Sequence, residues 1–250
     1  MRPLTRILRL GANDLRLVRR DAFLLVIAAV PLLTALFLRF GLVPLSLWLE
    51  AHWGLELAAH HGFIVSYLVV LMTPFAVGIV LGFMLLDERD ERTLEALRVT
   101  PVPLRGYLLY RTAAAALLSA VLTPVAWSLA DLVLLAPGRL LATALVASLI
   151  APLTALLFVA LAENKVQGFG VMKVLNALTL LPVAAYTLPL PWQYAVGLVF
   201  PPYWPLRALW SFVDGSPGAW FFLGLGLITQ LTLLAFLLRR FDQLIYARGY

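Results

Sequence analysis

Residues 62–86 carry no charged side chain, and the run is long enough to cross a bilayer. The hydrocarbon core is about 30 Å thick and a helix rises about 1.5 Å per residue, so about 20 apolar residues make one span. Blocks of that length also occur at 22–43, 107–135, 140–162, 174–196 and 219–238. The expectation is an all-α polytopic membrane protein with six transmembrane helices, a single transmembrane domain over residues 1–250. A transmembrane β-barrel would show segments of about ten residues alternating apolar and polar, and the sequence has none. Composition agrees, with 62% of side chains apolar and 13% charged, against about half and about a quarter in soluble domains. That balance excludes a soluble globule and a disordered chain alike. The lack of Cys excludes a disulfide scaffold, a thiolate metal site and a thiol nucleophile.

The net charge of +6 could suggest a nucleic-acid binder, but its placement is that of a membrane protein. Sixteen of the 19 basic residues fall in four alternate segments. These are the N-terminal stretch (Arg2, Arg6, Arg9, Arg16, Arg19, Arg20) and the second-to-third connection (Arg89, Arg92, Arg98, Arg105, Arg111). The fourth-to-fifth connection adds Lys165 and Lys173, and the C-terminal tail adds Arg239, Arg240 and Arg248. By the positive-inside rule both termini are expected in the cytoplasm, with the chain in the cytoplasmic membrane and no nucleic acid as partner. The leader before the first span is long, carries Asp14 and Asp21, and no small-residue cleavage pattern follows, so this span is read as retained.

Residues 1–21 place Leu4, Ile7, Leu8, Leu15 and Val18 on one helical face and Arg6, Arg9, Asn13, Arg16 and Arg20 on the other. That is the pattern of a helix lying in the lipid interface. A basic leader would explain the charges but not the apolar stripe. The segment 87–105 concentrates five of the 13 acidic residues. Glu88 and Arg92 stand at i,i+4, Leu94 and Leu97 form a small apolar face, and Pro101 and Pro103 end the pattern. A loop that only orients spans needs Arg and Lys, so the mixed signs point to a docking surface.

The connection 44–61 lacks Lys and Arg but holds Glu50, His52, Glu56, His60 and His61 beside Trp48 and Trp53. His52, Glu56 and His60 would share one helical face, which could hold a divalent metal; with no H-E-x-x-H and no further ligand, interfacial belt residues are the default and no metal is assigned. The stretch 189–217 is rich in Pro and aromatics, among them Trp192, Tyr194, Tyr203, Trp204 and Trp210, and is read as an outer re-entrant or interfacial helix.

Within the membrane the first five spans each contain a proline: Pro31, Pro74, Pro124, Pro152 and Pro182. Bent spans suit a bundle that opens and closes, although Pro is tolerated in membrane helices generally. Gly78 and Gly82 form a GxxxG that serves either a dimer interface or packing within the chain. Arg39 and Asp131 are the ionisable groups expected at membrane depth, near span ends. No chain of titratable groups crosses the membrane, which weighs against a self-sufficient proton pump, an intramembrane protease, a membrane transferase and a charge-lined pore.

No G-x-x-x-x-G-K-[ST] is present, so no nucleotide site, catalytic residue or cofactor is expected on this chain. The order of basic interfacial helix, two spans and an acidic segment ending at Pro101 resembles the type-2 permease subunits of ATP-binding-cassette (ABC) exporters. The family's pattern E-x-x-x-x-T-L-E-x-L-x-x-T-P is matched by Glu88, Thr93, Leu94, Glu95, Leu97, Thr100 and Pro101. The resemblance implies a coupling helix over 88–101, including Arg92, that docks a separate ATPase carrying ATP and magnesium. It also implies secondary contacts at Glu163 and Lys165, and a second permease, identical or related, as partner. The run from Glu163 to Lys173 looks most like the drug-export branch, including fluoroquinolone permeases. A path lined by the second and fifth spans would place Met72, Phe75, Asn176 and Tyr186 toward substrate. Two alternatives stay open: an ATPase-independent secondary transporter or channel, and a membrane assembly subunit without a path.

Overall fold

The structure, a computed structural model, describes residues 22–91 and 104–247. Among these residues all regular structure is helical. Six helices are long and apolar enough to span: Leu24–Trp53, Leu57–Asp90, Gly106–Ala130, Pro137–Leu161, Lys165–Tyr186 and Ala219–Arg240, called here the first to sixth spans. The protein is an all-α, six-span membrane protein. The interfacial helix expected over 1–21 lies outside the described residues, as do Arg92, Thr93, Leu94, Glu95, Leu97, Thr100 and Pro101.

The charge-free block of the sequence becomes the centre of the bundle. Every residue from 73 to 86 is buried, as a helix apolar on all sides must be. The fourth span packs along it. A side chain at Gly78 would place its Cβ 2.6 Å from the Ala151 carbonyl oxygen and from Thr154 Cβ, and one at Gly82 would come 2.8 Å from the Phe158 ring. The GxxxG therefore serves packing between the second and fourth spans of one chain, which resolves the two readings the sequence left open.

Three expected prolines mark changes of helical register. Pro74 follows a π-helical stretch, Ser66–Leu71; Pro152 follows a turn at Ser148 and Leu149; Pro182 follows a turn at Thr179 and Leu180. Each sits in the first turn of the new segment, where a missing N–H leaves no bond unmade.

The fifth span is displaced from the expected 174–196 and runs Lys165–Tyr186. Asn164 caps it, its side chain accepting from the Gln167 amide, so helix starts immediately after a three-residue loop. Hydropathy alone misses this start because Lys165 and Lys173 dilute the apolar run. The first span extends past 43 to Trp53, and the third ends at Ala130 rather than 135 because Asp131 adopts a left-handed φ of 51°.

The aromatic stretch forms a helical hairpin, Leu190–Val199 and Tyr203–Val213. Val213 stands beside Gly62, whereas Trp204 and Pro205 pack on Gly226. Gly226 lies seven residues into the sixth-span helix that starts at Ala219, a depth of about 10 Å. The hairpin thus inserts into the bundle at the end opposite Glu88, and its second helix is buried along nearly its whole length. One outer re-entrant or interfacial helix is expected from the sequence in this stretch, whereas the structure has two, of which Tyr203–Val213 is the buried one.

Candidate functional site

Four consecutive residues at the end of the second span reach three other spans. Asp87 Oδ2 lies 3.0 Å from Lys165 Nζ at the start of the fifth span. Glu88 Oε1 accepts from Tyr107 Oη at 2.6 Å and pairs with Arg111, both on the third span. Arg89 Nη1 donates to the carbonyls of Ala162 (3.1 Å) and Val159 (3.5 Å) where the fourth span ends. Asp90 Oδ2 accepts from the Lys165 backbone N–H at 3.1 Å. Successive helical side chains point about 100° apart, so four in a row cover the whole circumference. Arg89 satisfies carbonyls that a helix end leaves unpaired, and Asp90 sits at the positive end of the fifth-span helix.

These ties differ in strength. Glu88 and Arg111 are 9% and 5% exposed, and Tyr107 is bonded to both. Removing one partner of such a buried pair costs about 3–5 kcal/mol, because the other is left as an uncompensated charge. The side chains of Asp87 and Lys165 are each 33% exposed, and a pair of that kind contributes about 0–1 kcal/mol.

At the opposite end the binding groups are rings. Phe63 stacks on Tyr186 with centroids 4.2 Å apart, and Trp210 of the hairpin lies 5.3 Å from Tyr186 and 5.5 Å from Phe63. Trp210 Nε1 donates to Ser66 Oγ at 2.7 Å, and His60 Nδ1 lies 3.3 Å from Tyr186 Oη. Each aromatic pair adds about 0.5–1.5 kcal/mol beyond its buried area. The second span, fifth span and hairpin are joined here.

The sequence-named residues fall in different places. Glu88, read as part of a docking face, is turned inward to Arg111. Lys165 joins the junction, and Glu163 is exposed in the loop beside it. Of the residues named for a substrate path, Phe75 and Met72 belong to the second-span core, Asn176 is exposed on the fifth span, and Tyr186 is in the aromatic cluster. Arg39 and Asp131 pair at 3.5 Å, and Arg39 also donates to the Leu129 carbonyl. The three imidazoles diverge: His52 donates to the Trp48 carbonyl, His60 meets Tyr186 and His61 meets Ser46. Among the described residues no group of three His, Cys, Asp or Glu is placed to hold a metal ion.

Asp131 lies just past the end of the third span, a correction to the sequence reading, whereas Arg111 and Lys173, among others, lie within spans. Arg111 was counted with the orienting charges, although its place inside the third apolar block was visible. Tyr107, one turn before it, carried no signal of its own.

A bundle of six apolar helices, centred on a span without charge and tied by a charged junction, defines a multi-pass helical membrane protein. A family model described as "Fluoroquinolones export permease protein Rv2686c-like" matches residues 14–238. Two curated relatives from Mycobacterium tuberculosis are each 32% identical over 237 residues, covering 92% of this chain and 92% of their own. They are the fluoroquinolones export permease proteins Rv2686c, of strain ATCC 25618 / H37Rv, and MT2760, of strain CDC 1551 / Oshkosh. The chain belongs to the Rv2686c-like family of drug-export permeases.

Proposed function

We propose that this chain is the membrane permease of an ABC exporter, moving amphipathic, fluoroquinolone-like molecules out across the cytoplasmic membrane with energy from a separate ATPase. The observation that carries the reading is the junction at Asp87–Asp90, which ties the residues next to the proposed coupling segment 92–101 to the third, fourth and fifth spans. A push on that segment would be felt by four helices together. The chain itself hydrolyses no nucleotide, and ATP and magnesium act on the partner. Both termini and the Glu88 end face the cytoplasm, and the hairpin end faces outward. Two permeases, identical or related, complete the exporter, in contact with membrane lipid. The drug class is that of the two Mycobacterium relatives, both fluoroquinolones export permease proteins.

Affinity capture of the detergent-solubilised chain, followed by mass spectrometry, tests the reading. Recovery of an ATPase with a Walker motif, lost when residues 92–101 are scrambled, supports it. Recovery of the chain alone, or with itself only, contradicts it.

A further inference from the structure

The fifth span is held unevenly along its length. Its first half, Lys165–Leu178, buries only Gly168 and Leu175, whereas Thr179, Pro182 and Ala185 are buried in the eight residues that follow. At Gly168 the helix backbone lies close against Leu86, Phe83 and Phe158, and Phe169 adds one tilted ring contact to Phe83 with centroids 5.0 Å apart. The regular helix is interrupted between Leu178 and Leu181. Beyond that point Thr179 Oγ1 lies 3.3 Å from Tyr67 Oη, and Tyr186 is stacked in the aromatic cluster. Thus one part is held in a cluster of three rings and a hydroxyl contact, and the other by the close approach at Gly168, one ring contact at Phe169 and ionic ties that are one-third exposed.

We propose that Lys165–Leu178 is a gate arm that swings about the break at Thr179 and Leu180, and that Lys165 is the positioning residue that latches it to Asp87. This rests on the export reading above and extends it to the part that moves. The third and fourth spans stay with the second through the buried Glu88–Arg111 pair and the glycine contacts, so the arm moves against a fixed core. Breaking the Asp87–Lys165 pair exposes two groups already reached by water, which makes this the cheapest tie of the junction to open and close repeatedly.

The chain has no Cys, so introduced pairs can be bridged selectively. In inverted membrane vesicles containing the chain and its ATPase, bridging D87C/K165C with a short bis-methanethiosulfonate should cut ATP-driven uptake of norfloxacin at least tenfold. A thiol reductant should restore it. The same treatment of R39C/D131C, which joins the first and third spans, should leave uptake within twofold. K165M should lower uptake while leaving the thermal unfolding midpoint in detergent within about 4 °C of the parent's, and the charge swap D87K/K165D should recover most of the uptake. Undiminished uptake with D87C/K165C bridged overturns the gate. A second readout needs no transport: spin labels at Val166 and Leu109 should show two distance populations in lipid nanodiscs, and labels at Val183 and Leu134 one. A single narrow population for the first pair overturns the gate even where the ATPase reading holds. Two populations in a chain that captures no ATPase would leave the gate standing and the export reading refuted.

Discussion

The two ends of the bundle are built from opposite chemistry and hold the same helices in different ways. At the Glu88 end, ionic and carbonyl contacts join the second span to the third, fourth and fifth. At the Trp210 end, stacked rings and one indole hydrogen bond join the second and fifth spans to the hairpin. Ionic ties are directional and change greatly in strength with exposure. Ring contacts keep preferred offset-stacked or edge-to-face arrangements and draw most of their strength from buried area. The strength of the charged end therefore depends on which of its pairs is buried, and that of the ring end on the area its rings cover.

Breaking the charged end at its buried core should have the largest effect. E88L strands Arg111 and should cost about 3–5 kcal/mol of stability, whereas E88L/R111L should return to about the parental value, both read from thermal unfolding in detergent. A rescue that fails would mean the charges do more than neutralise each other. Next in size, G78L must push apart the second and fourth spans and should cost about 1–3 kcal/mol in the same assay. This lesion lies between the two ends and should leave the choice of substrate unaltered in whatever protein remains folded.

Smaller effects separate the ends more finely. W210F keeps a ring but loses the bond to Ser66, so it should cost about 1 kcal/mol and shift the KM for aromatic drugs more than the maximal rate. D87N should change stability by no more than about 1 kcal/mol while still lowering transport, since its pair with Lys165 is one-third exposed. Equal loss of stability from D87N and E88L would erase the distinction between latch and buried core.

Much of the fold was legible because lipid imposes a simple rule on the sequence. The uncharged stretch 62–86 announces a span and its GxxxG a close helix contact without naming the partner, and the Pro-aromatic run announces an outer re-entrant or interfacial helix where the structure has two helices. The fifth span was misplaced because its start is written in a cap, Asn164 with Gln167, and not in hydropathy. The junction was legible only as a charged segment. Asp87, Glu88, Arg89 and Asp90 read as the start of a docking surface for another chain, because sequence does not say which neighbours a helix terminus will meet. Arg111 was hidden by the positive-inside count, where an arginine one turn inside a span is scored like one outside it.

The most direct measurement is ATP-driven accumulation of norfloxacin in inverted membrane vesicles holding the chain with its ATPase, compared with vesicles in which residues 92–101 are scrambled. Expected is accumulation that needs ATP and collapses to background in the scrambled chain while membrane insertion is unchanged. Equal accumulation with and without ATP, or undiminished accumulation by the scrambled chain, would contradict a permease energised through the Glu88 end.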